Sequence, residues 1–170
     1  SESKQEMVYS RLARRLRATG INSFATYLNM LERETESQEW ESFTNALTTN
    51  LTSFFREEHH FPILAEHVKK KHGPLRIWCS ASSTGEEPYS IAMTVCEALG
   101  TMSPHLEIVA TDIDTNVLGV AAKGVYNIDR VEKLSPERVK KFFLRGKGRN
   151  DGSVMIRPEI RNLITFEPLN

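Results

Sequence analysis

The sequence predicts an α/β fold in which a parallel sheet follows a small helical region. Two apolar segments, Leu75–Cys79 and Leu106–Thr111, have the length of buried strands. A helical pattern of apolar residues separates them, and the chain before residue 56 shows helical spacing only. Strands that alternate with helices in this way pair in parallel, because the helix returns the chain to the same end of the sheet.

Length and composition limit the class of protein. The chain has 170 residues, enough for one domain or for one domain with a helical appendage. Its 39% apolar and 26% charged residues argue against disordered and low-complexity classes. Lysine plus arginine equal aspartate plus glutamate, 22 each, so we expect no nucleic-acid partner.

The sequence shows neither a membrane span nor a signal peptide, and this bears on the expected cellular location. No apolar run reaches the length of a membrane span, and the first residues do not have the order of a signal peptide. We therefore expect a cytoplasmic protein that does not insert into the membrane. Cys79 and Cys96 lie in apolar segments, and we expect both to be reduced core residues.

The N-terminal helix has an apolar seam and a basic face. Val8, Leu12 and Leu16 recur every four residues from Met7 to Ala18, the spacing of one helix face. The arginines spread over the flank and the opposite side: Arg11, Arg14, Arg15 and Arg17. They form either an ordinary solvated face or a docking surface for an acidic partner, and the absence of a nearby acid in the sequence favours docking. Helical spacing continues to Leu47, which predicts a small helical module.

Small residues join the first strand to the next helix. The run Ser80–Gly85 leads into Glu86, Glu87 and Pro88, and a helix follows over 89–99. Proline suits the first turn of a helix. A strand, a loop of small residues and a helix N-terminus form the first half of a nucleotide-binding unit, because such a loop lets a ligand approach the backbone.

The second strand ends in an acid, Asp112, which can hydrogen-bond the hydroxyls of a ribose. The glycine-rich fingerprint of dinucleotide sites is missing, since only Gly85 is glycine, and Glu86 and Glu87 would repel a pyrophosphate. We therefore expect a cationic, ribose-bearing ligand without phosphates, a description that S-adenosylmethionine meets. The alternative is that the two acids only complement the helix dipole.

Three segments resemble the chemotaxis receptor methyltransferases of the CheR family in order and spacing: Asn50–Arg56, Ser83–Ser90 and Thr111–Asp114. The resemblance runs from about Met7 to Asn170. It implies a Rossmann-like S-adenosylmethionine-dependent methyltransferase fold, preceded by a small all-α domain and carrying a small β-subdomain. It also implies methyl transfer to glutamate side chains on the cytoplasmic helices of chemoreceptors, with S-adenosylhomocysteine as the second product.

The resemblance also assigns residue roles. Asn50, Thr52 and Arg56 would line the cleft for cofactor and substrate, and Gly85 would belong to the cofactor loop. Glu87 would bind the methionine ammonium, Asp112 the ribose, and Asn170 would lie near the adenosine. The arginines from Arg11 to Arg17 would meet the acidic methylation helices of the receptor.

The domain limits follow from these assignments. We expect a receptor-docking region and linker over 1–56 and a methyltransferase domain over 57–170. Residues 126–160 are either a surface excursion or an inserted β-subdomain, which in some relatives grips the C-terminal peptide of the receptor. With Asn162–Phe166 only three central strands are found, and a doubly wound sheet needs about six, so we expect an apparently truncated fold and a longer natural chain.

A glutamate acceptor needs no strong base, because it is ionised at pH 7. Arg56 is our candidate for orienting that carboxylate, since a guanidinium can bind both oxygens. The spacing of the histidines does not match a metal site. The competing function is a non-catalytic module that binds S-adenosylmethionine or docks a partner. Nucleic-acid binding and nicotinamide chemistry are less well supported.

Overall fold

The computed structural model describes residues 2–35 and 37–169. They divide into two compact units. The first holds the chain up to Thr49 together with Ile113–Thr115, and the second holds Asn50–Asp112 and the chain from Asn116 onward.

The first unit contains three helices, α1 Glu2–Thr19, α2 Phe24–Arg33 and α3 Gln38–Leu47. Helix α2 begins at a Ser23 cap, whose hydroxyl accepts a hydrogen bond from the Thr26 amide at 3.3 Å. The core consists of side chains from the first two helices, Leu12, Leu16, Tyr27 and Leu31. The predicted seam of α1 is therefore buried over its second half, while Val8 stays 37% exposed.

A polar network crosses this helical core. The Arg15 guanidinium donates two hydrogen bonds to the Glu39 carboxylate, at 2.9 and 2.6 Å, and the buried Tyr27 hydroxyl donates to the same group at 2.6 Å. The hydrogen bond from Arg15 lowers the pKa of Glu39, and burial raises the pKa of Tyr27 to about 12. The network joins all three helices through charge-assisted bonds.

The second unit is built on a parallel sheet. Strands β1 Leu75–Cys79, β2 Leu106–Asp112 and β6 Ile164–Pro168 pair in the order β1, β2, β6. The central strand aligns Ile108 with Ile77 on one side and with Ile164 on the other. Three helices lie between or before these strands in the chain: α4 His60–Lys70, α5 Glu86–Leu99 and α6 Thr115–Lys123. The predicted α/β class with a Rossmann-like sheet is confirmed.

Two sequence expectations about this unit can be compared with the structure directly. Cys79 and Cys96 are buried, unbridged core residues, as predicted. The third strand begins at Ile164 rather than at Asn162, because the short helix α8 Pro158–Arg161 precedes it and the Asn162 amide still donates to the Pro158 carbonyl at 2.9 Å.

A second, antiparallel sheet follows α6. It pairs β3 Val125–Asn127, β5 Ser153–Ile156 and β4 Phe143–Arg145 in that order. The intervening elements are a 3-10 turn, Ile128–Val131, the Ser135-capped helix α7 Pro136–Phe142, and a 3-10 turn, Gly148–Asn150. Phe142, Val154 and Ile156 from this region are buried in the core. The region is therefore a packed sheet and not a surface excursion.

Position 85, just before α5, requires a glycine for two reasons, its backbone conformation and the closeness of neighbouring atoms. Its φ is 96°, in the left-handed region that favours glycine. A Cβ at this position would lie 2.9 Å from the Cβ of Ala121 on α6 and 3.0 Å from the Tyr126 hydroxyl. The close approach therefore serves the packing of α5 against α6 and β3.

Across residues 2–35 and 37–169, no helix combines the length and the apolar character that a membrane crossing needs. Over the same ranges, no group of three or more histidine, cysteine, aspartate or glutamate side chains could hold a metal ion.

The polar network of the helical unit should contribute to stability. We predict that Glu39→Gln lowers the free energy of unfolding by roughly 1–3 kcal/mol at pH 7, because it leaves Arg15 with a weaker partner. The contribution of a carboxylate with a lowered pKa is present above its unfolded pKa and is lost as pH falls through the folded value. The difference between variant and parent in urea denaturation should therefore shrink below about pH 4.

The control is Glu32→Gln, which changes an exposed acid on α2 and should alter stability by less than about 0.5 kcal/mol. Equal effects of the two substitutions at pH 7 would contradict a structural role for Glu39.

The packing around Gly85 gives a second prediction. Gly85→Ala should destabilise the protein by roughly 2–4 kcal/mol, from left-handed strain plus overpacking against Ala121. Gly100→Ala is the matched control, because Gly100 also has a positive φ, 65°, but no atom lies within 4 Å of its added Cβ. That control should cost roughly 1–2 kcal/mol, from left-handed strain alone. Equal losses in urea denaturation would show that the close contact is unimportant.

Candidate functional site

The site is centred on the loop between β1 and α5, at the carboxyl ends of the parallel strands. In open α/β sheets this edge is where ligands bind. The Ser82 amide donates to the Thr111 carbonyl at 2.9 Å, and the Ser83 amide donates to the Asp112 carboxylate at 2.8 Å. Ser83 adopts a positive φ of 47°. The end of β2 therefore fixes the loop, and the loop amide orients the Asp112 side chain, which is 7% exposed.

Glu86 and Glu87, the adjacent acids in the first turn of α5, have different environments. The Glu87 side chain is exposed, and the Cys79 thiol donates to its Oε2 at 3.3 Å. Burial, with the Glu87 charge beside it, raises the pKa of Cys79 to about 12, so the thiol stays protonated and can donate.

Glu86, in contrast, is 0% exposed. Its Oε2 accepts a hydrogen bond from the Thr84 hydroxyl at 2.6 Å, and its Oε1 is paired with the Arg130 guanidinium. The expectation that both acids would repel an anionic ligand is therefore wrong for Glu86, because Arg130, in the 3-10 turn that follows β3, neutralises its charge. Glu87 is the acid that this turn presents to solvent.

The segment Asn50–Arg56 is attached to the same loop and helix. The Asn50 carbonyl accepts from the Ser83 hydroxyl at 3.4 Å, and the Phe55 amide donates to the Ser90 hydroxyl at 3.0 Å. Phe54 is buried between the rings of Tyr126 and Phe143, with centroids 5.1 and 5.4 Å away. These contacts bring the predicted cleft residues of this segment to the β1–α5 loop.

Arg56 lies on the surface of this segment. Its side chain is exposed, and Nη1 donates to the Leu51 carbonyl at 2.7 Å. A guanidinium has five N–H donors in a planar fork, so one intrasegment bond is compatible with binding a carboxylate.

The candidate cofactor and substrate residues are therefore placed as follows. The second unit contains Asn50, Thr52, Arg56, Gly85, Glu87 and Asp112. Asn170 lies outside the described residues. Gly85 has a packing reason for being glycine, and its predicted cofactor contact stays a prediction.

Sequence reasoning gave no role to three residues whose contacts hold the site together: Arg130, Tyr126 and Ser90. The Arg130 guanidinium also donates to the Thr52 carbonyl at 2.9 Å, and the Tyr126 hydroxyl donates to the Thr84 carbonyl at 2.7 Å. The one available indication was the pair of adjacent acids, since a buried carboxylate requires a cation or several donors. The sequence does not say which cation pairs with the buried Glu86 carboxylate, because the tertiary packing decides this.

The basic face of α1 is smaller than its sequence suggests. Glu39 neutralises Arg15, and Arg11 donates to the Leu47 carbonyl at 2.8 Å and to the Thr48 carbonyl at the end of α3. The assumption that no acid compensates these arginines is wrong for Arg15, because α3 packs against α1. Arg14 and Arg17 are exposed, and their predicted contact with a partner stays a prediction.

Comparison with known proteins agrees with this architecture. Residues 1–48 match the profile described as CheR methyltransferase, all-alpha domain. Residues 50–170 match the profile described as CheR methyltransferase, SAM binding domain, where SAM is S-adenosylmethionine. The junction between the two profiles coincides with the division of the structure into two units near residue 49.

Whole relatives give the same result. The chain is 51% identical over 170 residues to a chemotaxis protein methyltransferase of Salmonella typhimurium and 49% identical to one of Escherichia coli, and all of it aligns with 59% of each. It is 53% identical over 173 residues to chemotaxis protein methyltransferase 2 of Pseudomonas aeruginosa, aligning with 61% of that protein. The chain thus spans about three-fifths of the length of these relatives. With both profiles matched in order along the chain, the protein belongs to the CheR methyltransferase family.

Proposed function

We propose that this chain forms the docking and cofactor-binding part of an S-adenosylmethionine-dependent enzyme that esterifies glutamate side chains on the cytoplasmic helices of chemoreceptors. The observation that supports it most directly is the attachment of Asn50–Arg56 to the loop that leads to Glu87. One piece of structure thereby holds the residues proposed for the methyl acceptor and those proposed for the cofactor.

The groups at the carboxyl ends of the strands fit this cofactor. Asp112 is held by a loop amide at the end of β2, the position from which an acid binds ribose hydroxyls. Glu87 offers an exposed carboxylate for an ammonium group, steadied by the Cys79 thiol. The preceding loop contains one glycine and no basic residue, which suits a ligand without phosphates.

The proposed reaction needs little acid–base catalysis from the protein. When bound, the cofactor supplies a methyl group on a cationic sulfur, which a carboxylate can attack directly. The acceptor glutamate is ionised at pH 7, so no general base is needed. Arg56 orients that carboxylate through paired N–H donors, and the walls formed by Asn50 and Thr52 exclude water from it.

Receptor recognition is divided between two regions. Arg14 and Arg17 on α1 bind the acidic methylation helices, in a docking region that ends near residue 56. The second sheet, which runs from β3 to β5 and overlaps the predicted insertion 126–160, binds the receptor's C-terminal peptide along an edge strand. The enzyme acts in the cytoplasm without inserting into the membrane.

The direct test is transfer of radiolabelled methyl groups from S-adenosylmethionine to a receptor cytoplasmic fragment by the purified protein. Glutamate esters release the label in base. Base-labile incorporation that depends on the protein is the expected result. Tight binding of the cofactor without incorporation, by this chain and also by the full-length protein, would instead identify a non-catalytic module.

The cofactor contact of Asp112 can be tested separately. Asp112→Asn keeps an acceptor for the Ser83 amide and removes the charge, so the loop should stay in place. We predict that the affinity for S-adenosylhomocysteine, measured by calorimetric titration, falls roughly 10- to 100-fold, the loss of one or two charge-assisted hydrogen bonds. Asp151→Asn, an exposed acid in the second sheet's hairpin, is the control. Unchanged binding by the Asp112 variant would exclude this residue as the ribose ligand.

Arg56 is tested by Arg56→Lys, which keeps the charge and removes the planar fork. We expect kcat for methyl transfer to fall by about tenfold or more, since each 1.4 kcal/mol of lost orientation is tenfold, while the Kd for S-adenosylhomocysteine changes little. The control is Arg76→Lys, which alters an exposed ion pair with Glu107 on the sheet. Full turnover by the Arg56 variant would contradict the positioning role.

A further inference from the structure

We infer that Arg130 is a positioning residue that sets the acceptor-binding segment against the cofactor-binding turn. The inference rests on the function proposed above for those two regions. Its basis is that one guanidinium nitrogen of Arg130 donates both to the Thr52 carbonyl, at 2.9 Å, and to the Glu86 carboxylate.

The first half of the contact involves a buried charge. Glu86 lies in the first turn of α5 and is fully buried, whereas the Arg130 side chain is 41% exposed. A buried carboxylate is tolerated only with a close cation or several hydrogen-bond donors. The Glu86 carboxylate accepts hydrogen bonds from the Arg130 guanidinium and the Thr84 hydroxyl. Because Glu87 is the next residue, these bonds also hold the backbone from which the Glu87 side chain projects.

The second half of the contact involves a backbone carbonyl of the cleft segment. Thr52 lies between Asn50 and Arg56, and its carbonyl accepts the second Arg130 bond. The segment also makes hydrogen bonds near its two ends, at the Asn50 carbonyl and the Phe55 amide, and the Phe54 ring packs into the core. Arg130 adds a hydrogen bond to the backbone at Thr52, between the candidate cleft residues Asn50 and Arg56.

The region that presents Arg130 is itself braced on the same turn. Arg130 belongs to the 3-10 turn Ile128–Val131, which directly follows β3. From β3, the Tyr126 hydroxyl donates to the Thr84 carbonyl at 2.7 Å, and burial raises the pKa of Tyr126, so it remains a neutral donor. The strand and turn that carry Arg130 are therefore attached to the same cofactor-binding turn at two points.

The test compares Arg130→Met with the double variant Glu86→Gln/Arg130→Met. The single change leaves a buried unpaired carboxylate, and we expect the urea midpoint to fall. The double change removes that charge, and we expect the midpoint to return close to the parent value. Because the tie to Thr52 is still missing, kcat for methyl transfer should stay at least tenfold low in the double variant, with the Kd for S-adenosylhomocysteine within about threefold of the parent.

A second readout does not depend on turnover. Amide hydrogen exchange across residues 50–57 should be at least tenfold faster in the double variant than in the parent. Arg130→Lys, which keeps a cation and a donor, should recover part of both kcat and protection. The control is the surface pair, Glu107→Gln/Arg76→Met, which should change neither quantity.

Full kcat together with parental exchange in the double variant would overturn the inference, because Arg130 would then serve only to neutralise Glu86. If the parent protein itself methylates no receptor fragment, the proposed function fails independently. Hydrogen exchange still decides the question in that case: faster exchange over 50–57 supports the positioning role, and unchanged exchange refutes it.

Discussion

The buried carboxylate of Glu86 is the constraint on which the arrangement of the second unit depends. It occupies the first turn of α5, where water cannot solvate it, so the fold must supply a cation and hydrogen-bond donors. Arg130 supplies the charge and Thr84 a hydroxyl. Satisfying this one group ties the β1–α5 loop, the Asn50–Arg56 segment and the second sheet to one another.

The same turn combines rigidity with an accessible ligand surface. Gly85 lets α6 and β3 approach closely, and the Ser83 amide holds Asp112 at the end of β2. Both contacts are made by the backbone of the loop, on its buried side. Glu87 therefore remains exposed at a fixed place, and this preorganisation favours the ammonium contact proposed above.

The helical unit shows how packing changes a charge pattern. Four arginines on α1 suggest one continuous basic face, but α3 places Glu39 against Arg15 and its C-terminal carbonyls against Arg11. Both arginines then stabilise the unit, with a helix C-terminus as one of their natural partners. Arg14 and Arg17 stay exposed, so the docking role proposed above is left to different members of the sequence pattern from those that stabilise the unit.

The sequence by itself determined the elements and the chemical class of the site. The apolar periods of α1, α5, β1 and β2, and the acid at the end of β2, are local patterns that depend on residues near one another in the chain. The charge pattern treated Glu86 and Glu87 alike, although the family resemblance assigned the ammonium to Glu87 alone, and it did not identify Arg130 or Glu39 as partners. Those pairings join residues more than twenty positions apart. Only the tertiary structure decided them, because burial and long-range contact set which charges are neutralised and which face solvent.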